Sequence, residues 1–126
     1  MAYNLKLAER IRSEIEAGMA YNLKLAERIR SELEGIPFVE KKMFGGVGYM
    51  IHGNLACGVH KEDMILRVDP AKYEKLLKKP SAKVFDAMGK PMKGWLMVEP
   101  DGCKTKKQLG AWVKEGVEFA LTLPSK

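Results

Sequence analysis

Apolar residues recur every three to four positions near the start of the chain, and this spacing predicts an amphipathic helix. The stripe consists of Leu25, Ala26, Ile29 and Leu33, and the outer side is covered by Lys24, Arg28, Arg30 and Glu34. Asn22 is a typical N-cap residue, and Gly35 is a typical residue just beyond a helix end. The sequence therefore predicts a helix between these two positions, with one side buried against a core.

The sequence of this helix occurs twice. Residues 1–16 return as residues 19–34 with one change, in which Ile15 is replaced by Leu33. A match of this length indicates a duplicated segment. The repeat bears on assembly and gives no direct information about chemistry.

The two copies are offset by 18 residues, which is about five helical turns, so one continuous rod would place both apolar stripes on one face. Gly18 and the capping tendency of Asn22 favour two helices over that rod. We therefore divide the chain into an extra helix copy, residues 1–18, and one domain, residues 19–126.

After this helix, short β segments separated by turn residues follow. The predicted strands are Phe38–Phe44, Val47–His52, Leu55–His60, Met64–Asp69 and Met92–Glu99. The first four form a meander with short turns, and the fifth follows a second helix. Alternation in the fourth and fifth strands turns Met64, Leu66, Leu96 and Val98 toward the helices.

Two further helices complete the pattern. Pro70 opens a short helix that ends before Pro80, and Thr105 with Gln108 forms a capping box for the last helix. The last helix has one face made of Leu109, Trp112, Val113, Gly116, Val117 and Ala120. The order α-β4-α-β-α predicts an α+β fold with two layers. We expect a five-stranded antiparallel sheet with helices on one face, plus the extra N-terminal helix.

Composition and charge describe an ordinary domain with a basic surface. The 126 residues carry a net charge of +6, and the excess lies after Gly35, where Arg67 is the single arginine among lysines. Lysine attracts anions diffusely, whereas base edges are read mainly by arginine, so specific nucleic-acid binding is not expected. No apolar run is long enough for a membrane span or a signal peptide. Cys57 and Cys103 show no paired spacing, and we expect free thiols in the cytoplasm.

The segment KKMFGGVGYM, residues 41–50, resembles the N-terminal domain of the TfoX/Sxy family. The resemblance continues in residues 54–59, 66–68, 89–95 and 122–124, and it covers about residues 19–124. It implies a two-layer domain and a link to the regulation of natural competence, where full-length members act with the cyclic-AMP receptor protein. Those members carry a second helical domain, for which we expect no counterpart here. The resemblance implies no catalytic residues, and the role of short stand-alone members is not established.

Two residue groups suggest chemistry, but each has a simpler interpretation. The glycines of residues 45–48 lie between predicted strands, which favours a tight hairpin over a phosphate loop. His52 and His60 flank Cys57, which could suggest a metal site or a thiol–imidazole pair. A zinc site needs three or four ligands. Strand alternation turns Cys57 toward the core, together with Leu55 and Val59, where a thiol is not accessible for catalysis. We expect no catalytic, cofactor or metal site, and a protein that is not an enzyme.

The side of the sheet opposite the helices has an unusual composition for a solvated face, which is normally polar. Alternation places five residues there: Met50, Ile65, Arg67, Trp95 and Met97. They predict an interaction face covered by another protomer, a partner protein or a displaced helix. The alternative is that the segment of residues 81–88 of the same chain covers them.

The extra helix copy carries its own apolar stripe, Leu7, Ile11 and Ile15. One copy fills the groove of the domain. Leaving the apolar side chains of the other copy exposed to water would cost several kcal/mol, at about 25 cal/mol per Å² of apolar surface. We therefore expect a homo-oligomer, in the simplest case a dimer with exchanged helices. The alternative is that the duplicated segment frays in solution.

We interpret the chain as a regulatory domain that acts through protein contacts, with a partner in transcription regulation by analogy and no membrane association. The alternative is non-specific nucleic-acid binding, in which Lys72, Lys75 and Lys79 contact phosphates.

Overall fold

The computed structural model describes residues 21–43, 45–86 and 89–126. These residues form, in chain order, helix α1 (Leu23–Glu32), strands β1 (Val39–Met43), β2 (Gly46–Ile51), β3 (Asn54–His60) and β4 (Asp63–Arg67), helix α2 (Pro70–Leu77), strands β5 (Ala82–Val84) and β6 (Trp95–Val98), a 3-10 turn (Pro100–Gly102) and helix α3 (Lys106–Thr122). The extra helix copy, residues 1–18, lies outside the described residues.

The strands form one sheet in the order β1-β2-β3-β4-β6-β5, and every neighbouring pair is antiparallel. The predicted α+β class and the antiparallel sheet are confirmed. The predicted number of five strands is wrong, because β5 adds a sixth strand at the edge beside β6. Three residues are too short for alternation to reveal a strand, and β5 is defined by its pairing with a distant segment.

One large hydrophobic core lies between the sheet and the three helices. α1, α2 and α3 all contribute buried residues to it, and so do β2, β3, β4 and β6. The predicted inward residues of the last helix are all buried: Leu109, Trp112, Val113, Gly116, Val117 and Ala120. The helices therefore cover one side of the sheet, as predicted.

Local signals set the helix ends as the sequence indicates. The N–H of Leu25 donates to the side-chain oxygen of Asn22 at 2.9 Å, and Asn22 itself is extended. This extended residue precludes one continuous rod through the junction. Thr105 and Gln108 form the predicted capping box at the start of α3.

Polar contacts hold α1 in its groove alongside its buried stripe. The N–H of Asn22 donates to the carbonyl of Lys61 at 2.7 Å. The guanidinium of Arg28 donates to the carbonyls of Cys103 and Lys104 at 2.7 and 3.1 Å. Arg28 was predicted to lie on the outer side of the helix, and it instead ties α1 to the chain before α3.

A β-bulge interrupts the pairing of β2 with β3. Tyr49 lies opposite Cys57 and Met50 opposite Leu55, so Ala56 is the additional residue. An extra residue reverses the alternation of side chains along a strand. Cys57 faces the main core as predicted, whereas Leu55 lies on the opposite side of the sheet, contrary to the prediction.

α3 crosses the sheet at this bulge in close backbone contact. A β-carbon added at Gly116 would overlap the carbonyl oxygen of Ala56. The backbone of the helix therefore lies nearer to β3 than any residue with a side chain would permit.

We expect Gly116→Ala to lower the free energy of unfolding by about 1–3 kcal/mol, because the new methyl group meets backbone that cannot move aside. Gly110→Ala in the same helix is the matched control. Its β-carbon would lie 3.0 Å from a carboxylate oxygen of Glu32, at the end of a flexible side chain. That variant should keep a gain in helix propensity of up to about 1 kcal/mol. Urea unfolding measures both variants, and equal stability would contradict the close contact.

Candidate interaction face

A row of residues crosses all six strands on the side of the sheet away from the helices, here called the helix-free face. In register, the row runs Lys41, Gly48, Gly58, Ile65, Met97 and Lys83. The two glycines leave the middle of the row without side chains. The side chains of Met43 and Leu55 lie over Gly48, where an added β-carbon would be 2.6 Å from Leu55 Cδ1.

The structure brings the five predicted face residues together on this side. Met50, Ile65, Trp95 and Met97 belong to one hydrophobic cluster, and Arg67 lies directly opposite Trp95 in the pairing of β4 with β6. Strand alternation was sufficient to predict this placement.

Their exposure differs from the prediction. Ile65 and Met97 are only 2% and 6% exposed. The expectation that these two residues need cover from another chain is therefore wrong, because their own chain already buries them. Together with Leu55 and Phe85 they form the buried part of this cluster, which is separate from the main core and is here called the small hydrophobic cluster. Phe85 follows β5, so the alternative of cover by the segment of residues 81–88 applies to them. Met50, Arg67 and Trp95 stay partly accessible.

A chain of ring contacts, here called the ring row, leads from this cluster to the end of the sheet. His60 lies beside Phe85 at 6.1 Å between ring centroids, and Phe85 meets Trp95 edge-to-face at 5.8 Å. The guanidinium carbon of Arg67 lies 5.7 Å from the ring centre of Trp95 and 5.5 Å from that of Phe119 on α3. The ring row therefore ends in a cation held between two aromatic rings.

The sequence prediction missed Phe85 and Phe119. Phe119 lies outside the apolar stripe of the last helix, and an aromatic residue on the polar side of a helix was a usable signal. Phe85 lies in a segment without clear periodicity, and its position depends on the pairing of β5.

Arg67 differs from the other cations near it. Among the described residues, it has no carboxylate within 4.0 Å and no hydrogen bond from its guanidinium. Lys83, by contrast, lies 3.1 Å from Asp63 and 3.6 Å from Glu99. The charge of Lys83 is neutralised inside the domain, and that of Arg67 remains available.

The lysines considered for phosphate contacts lie on α2. Lys72 is 3.6 Å from the carboxylate of Glu115, and Lys79 lies over the ring of Trp112 at 5.4 Å. Lys75 is exposed in the last turn of α2. Two of the three cations are thus engaged with α3, which reduces the charge available to an external anion.

His60 ends β3 and is half-buried. Its Nδ1 atom is buried and has no hydrogen-bond partner in the described part of the chain. Burial, and then the positive charge of Lys61, lower the pKa of His60 below 6.5, while Asp63 opposes the shift. The imidazole therefore stays neutral at physiological pH. An open depression beside it is lined by His60, Lys61, Asp63, Lys83, Val84, Asp86 and Met97.

Both cysteines are buried in the main core. Burial raises the pKa of Cys57 to about 12 and, as the main cause, that of Cys103 to about 11. Because the thiolate is the reactive form, these thiols are poor nucleophiles near neutral pH. Neither cysteine is suited to the thiol–imidazole chemistry considered from the sequence.

Several expectations concern other parts of the molecule. The candidate oligomer residues Leu7, Ile11 and Ile15 lie outside the described residues. Within residues 21–43, 45–86 and 89–126, no three His, Cys, Asp or Glu residues are grouped as metal ligands would be. In the same ranges, no helix has the length and apolar character needed to cross a bilayer. Of the glycines in residues 45–48, Gly45 lies between β1 and β2, and Gly46 and Gly48 lie within β2, which agrees with the hairpin interpretation.

The fold and this face define a small α+β domain in which the helices of the described residues cover one side of an antiparallel sheet. The family model of the TfoX N-terminal domain matches residues 33–120, which is 88 of the 126 residues. The chain belongs to this family, and the resemblance seen in residues 41–50 is confirmed. No curated protein and no solved structure matches the chain.

We expect His60→Gln to reduce the loss of stability on acidification. Because folding lowers the pKa of His60, the unfolded chain binds the proton first as the pH falls. The free energy of unfolding therefore decreases as the pH falls below about 6.5. It continues to decrease until the pH has passed the lower pKa that His60 has in the folded state. His52→Asn is the matched control, since His52 has a φ of 53° and asparagine tolerates that conformation. Urea unfolding at about pH 5.5 and about pH 7.5 measures the difference. An unchanged loss in His60→Gln would contradict this assignment.

Proposed function

We propose that this chain is a non-enzymatic regulatory domain that acts by binding another protein through the helix-free face. The observation that carries the proposal is the accessible group Met50, Arg67 and Trp95, which lies at the border of the small hydrophobic cluster. Tryptophan, methionine and arginine are enriched where proteins bind one another. Membership in the TfoX N-terminal domain family supports a role in regulation.

The chemistry of the titratable groups supports binding rather than catalysis. The two thiols are held protonated by burial, and His60 is kept neutral beside Phe85. A catalytic base needs a positioned partner and a suitable pKa. The residues of the helix-free face are suited to contact and not to proton transfer.

The regulatory setting is proposed by analogy with the family. A link to natural competence, and a partner in transcription regulation, are the expectations that the resemblance implies. We place this activity in the cytoplasm, where buried free thiols such as Cys57 and Cys103 remain reduced.

Self-association through the duplicated segment is part of the proposal. α1 occupies its groove with Ile29 and Leu33 fully buried, and the same sequence precedes it in residues 1–16. The groove formed by the described residues holds one such helix. Burial of a second copy would therefore need a surface supplied by another chain, which pairing of chains would provide.

We expect Trp95→Lys to abolish capture of the partner when the full-length protein is used as bait in an extract of its source cells. A charged side chain there would oppose burial of the face in an interface. Leu121→Lys is the matched control, because Leu121 is 53% exposed on α3, away from the face. Capture that survives Trp95→Lys would remove this face as the recognition surface.

We expect replacement of Leu7, Ile11 and Ile15 by lysine in the full chain to convert an oligomer into a monomer. Each substitution removes apolar area whose burial drives association. Replacement of Lys6 and Glu9 by glutamine is the control, since their counterparts in α1, Lys24 and Glu27, are exposed. Analytical ultracentrifugation gives the mass, and a monomer already present in the native chain would refute the idea.

A further inference from the structure

We propose that Arg67 is a carboxylate anchor, and that the partner inserts an aspartate or glutamate there beside an apolar side chain that packs on Trp95. This inference rests on the proposed function and names the chemistry of the partner. It assigns a specific role to the cation at the end of the ring row.

The side chain of Arg67 is held in place before any partner binds. Its guanidinium lies between Trp95 and Phe119, at 5.7 and 5.5 Å from the two ring centres. Trp95 is supported in turn by the edge of Phe85 at 5.8 Å, and Phe85 is 7% exposed. Cation–π contact with both rings restricts the position of the guanidinium, so little rotamer entropy is lost on binding.

Stacking leaves the donor groups of Arg67 unused. Aromatic rings contact the faces of a guanidinium, whereas its N–H groups point outward in the plane. No described carboxylate lies within ion-pair distance of them. Asp69 and Glu118 line a depression with Phe119, but neither forms an ion pair with Arg67. A planar fork of free donors matches a carboxylate, which accepts two parallel hydrogen bonds.

The charge of the surrounding face favours an acidic partner over a second copy of the same face. Lys41 is exposed at the far end of the row, and no described residue forms an ion pair with it. Asp63, an acid on this side of the sheet, is bound to Lys83, whereas Asp86 is exposed at the edge of the face near Met97. Two like faces would bring uncompensated cations together, and an acidic partner would compensate them.

An apolar group next to the carboxylate fits the accessible side chain of Trp95, which lies opposite Arg67. Trp95 and Met50 are half-buried and border the small hydrophobic cluster. Methionine adapts its shape to a partner, and tryptophan offers a large surface with little conformational freedom to lose. The matching ligand is therefore a segment with one acid adjacent to a leucine, methionine or aromatic residue.

The test uses the full-length protein and a phage library of random twelve-residue peptides as the probe. We expect enriched peptides to place Asp or Glu beside an apolar residue. Trp95 fluorescence, in a Trp112→Phe background, then gives the affinity of a synthetic peptide from this set. Arg67→Gln should weaken binding about 10- to 100-fold, as expected for loss of a charge-assisted pair. Changing the acid of the peptide to its amide should cause a similar loss in the native protein and little further loss in Arg67→Gln.

Two controls separate the anchor from general charge and from misfolding. Lys75→Gln removes one exposed positive charge from α2, away from the face, and should leave the affinity unchanged. Arg67→Lys retains the charge without the planar fork. It should weaken binding while the thermal unfolding curve stays close to that of the native protein.

Three outcomes would overturn the anchor. Peptides that need Trp95 for binding, but bind Arg67→Gln as tightly as the native protein, would refute the anchor and leave the proposed function intact. Peptides that depend on neither residue, or a lack of enrichment, would refute both. Enriched peptides that resemble residues 5–16 would assign the face to the duplicated segment in place of an external partner.

Discussion

The close contact between the backbone of α3 and the bulged strand β3 determines how this end of the molecule is arranged. Gly116 allows the helix to approach the carbonyl of Ala56. Phe119 follows one turn later on the same helix, and its ring reaches the guanidinium of Arg67 at the end of β4. A wider separation of helix and sheet would move Phe119 away from that cation. The stability of the domain and the geometry of its accessible face thus depend on the same backbone contact.

The sheet separates two hydrophobic clusters of unequal size. Three helices close the large one, while Phe85 and the side chains around it close the small one. A single ring provides less cover than a helix, so burial is complete over Ile65 and Met97 and incomplete at Met50 and Trp95. Partial cover of this kind gives a surface that is already folded and rigid, yet retains apolar area that a partner can bury.

Local features of the sequence were sufficient to predict much of this structure. The capping residues Asn22 and Thr105, and the stripe of the last helix, depend on neighbours a few residues away, and they are confirmed. Strand alternation also depends only on neighbouring residues, and it correctly placed Arg67 and Trp95 on one side of the sheet. The bulge at Ala56, the short strand β5 and the position of Phe85 depend on pairing between distant segments. Such contacts leave no periodic signal, which is why the sixth strand was not predicted and why cover of Ile65 and Met97 by the segment of residues 81–88 was only the alternative.

The way α1 is seated has a consequence for chain threading. Asn22, Arg28 and Ile29 have identical counterparts 18 positions earlier, so side-chain contacts hardly distinguish the two segments as occupants of the groove. The length of the connection to β1 does distinguish them. It is 6 residues from α1, and it would be 24 residues if the earlier segment occupied the groove. Closing a loop four times longer costs about 1.2 kcal/mol, or about an eightfold preference. Polymer entropy, and not recognition, thus selects the second segment.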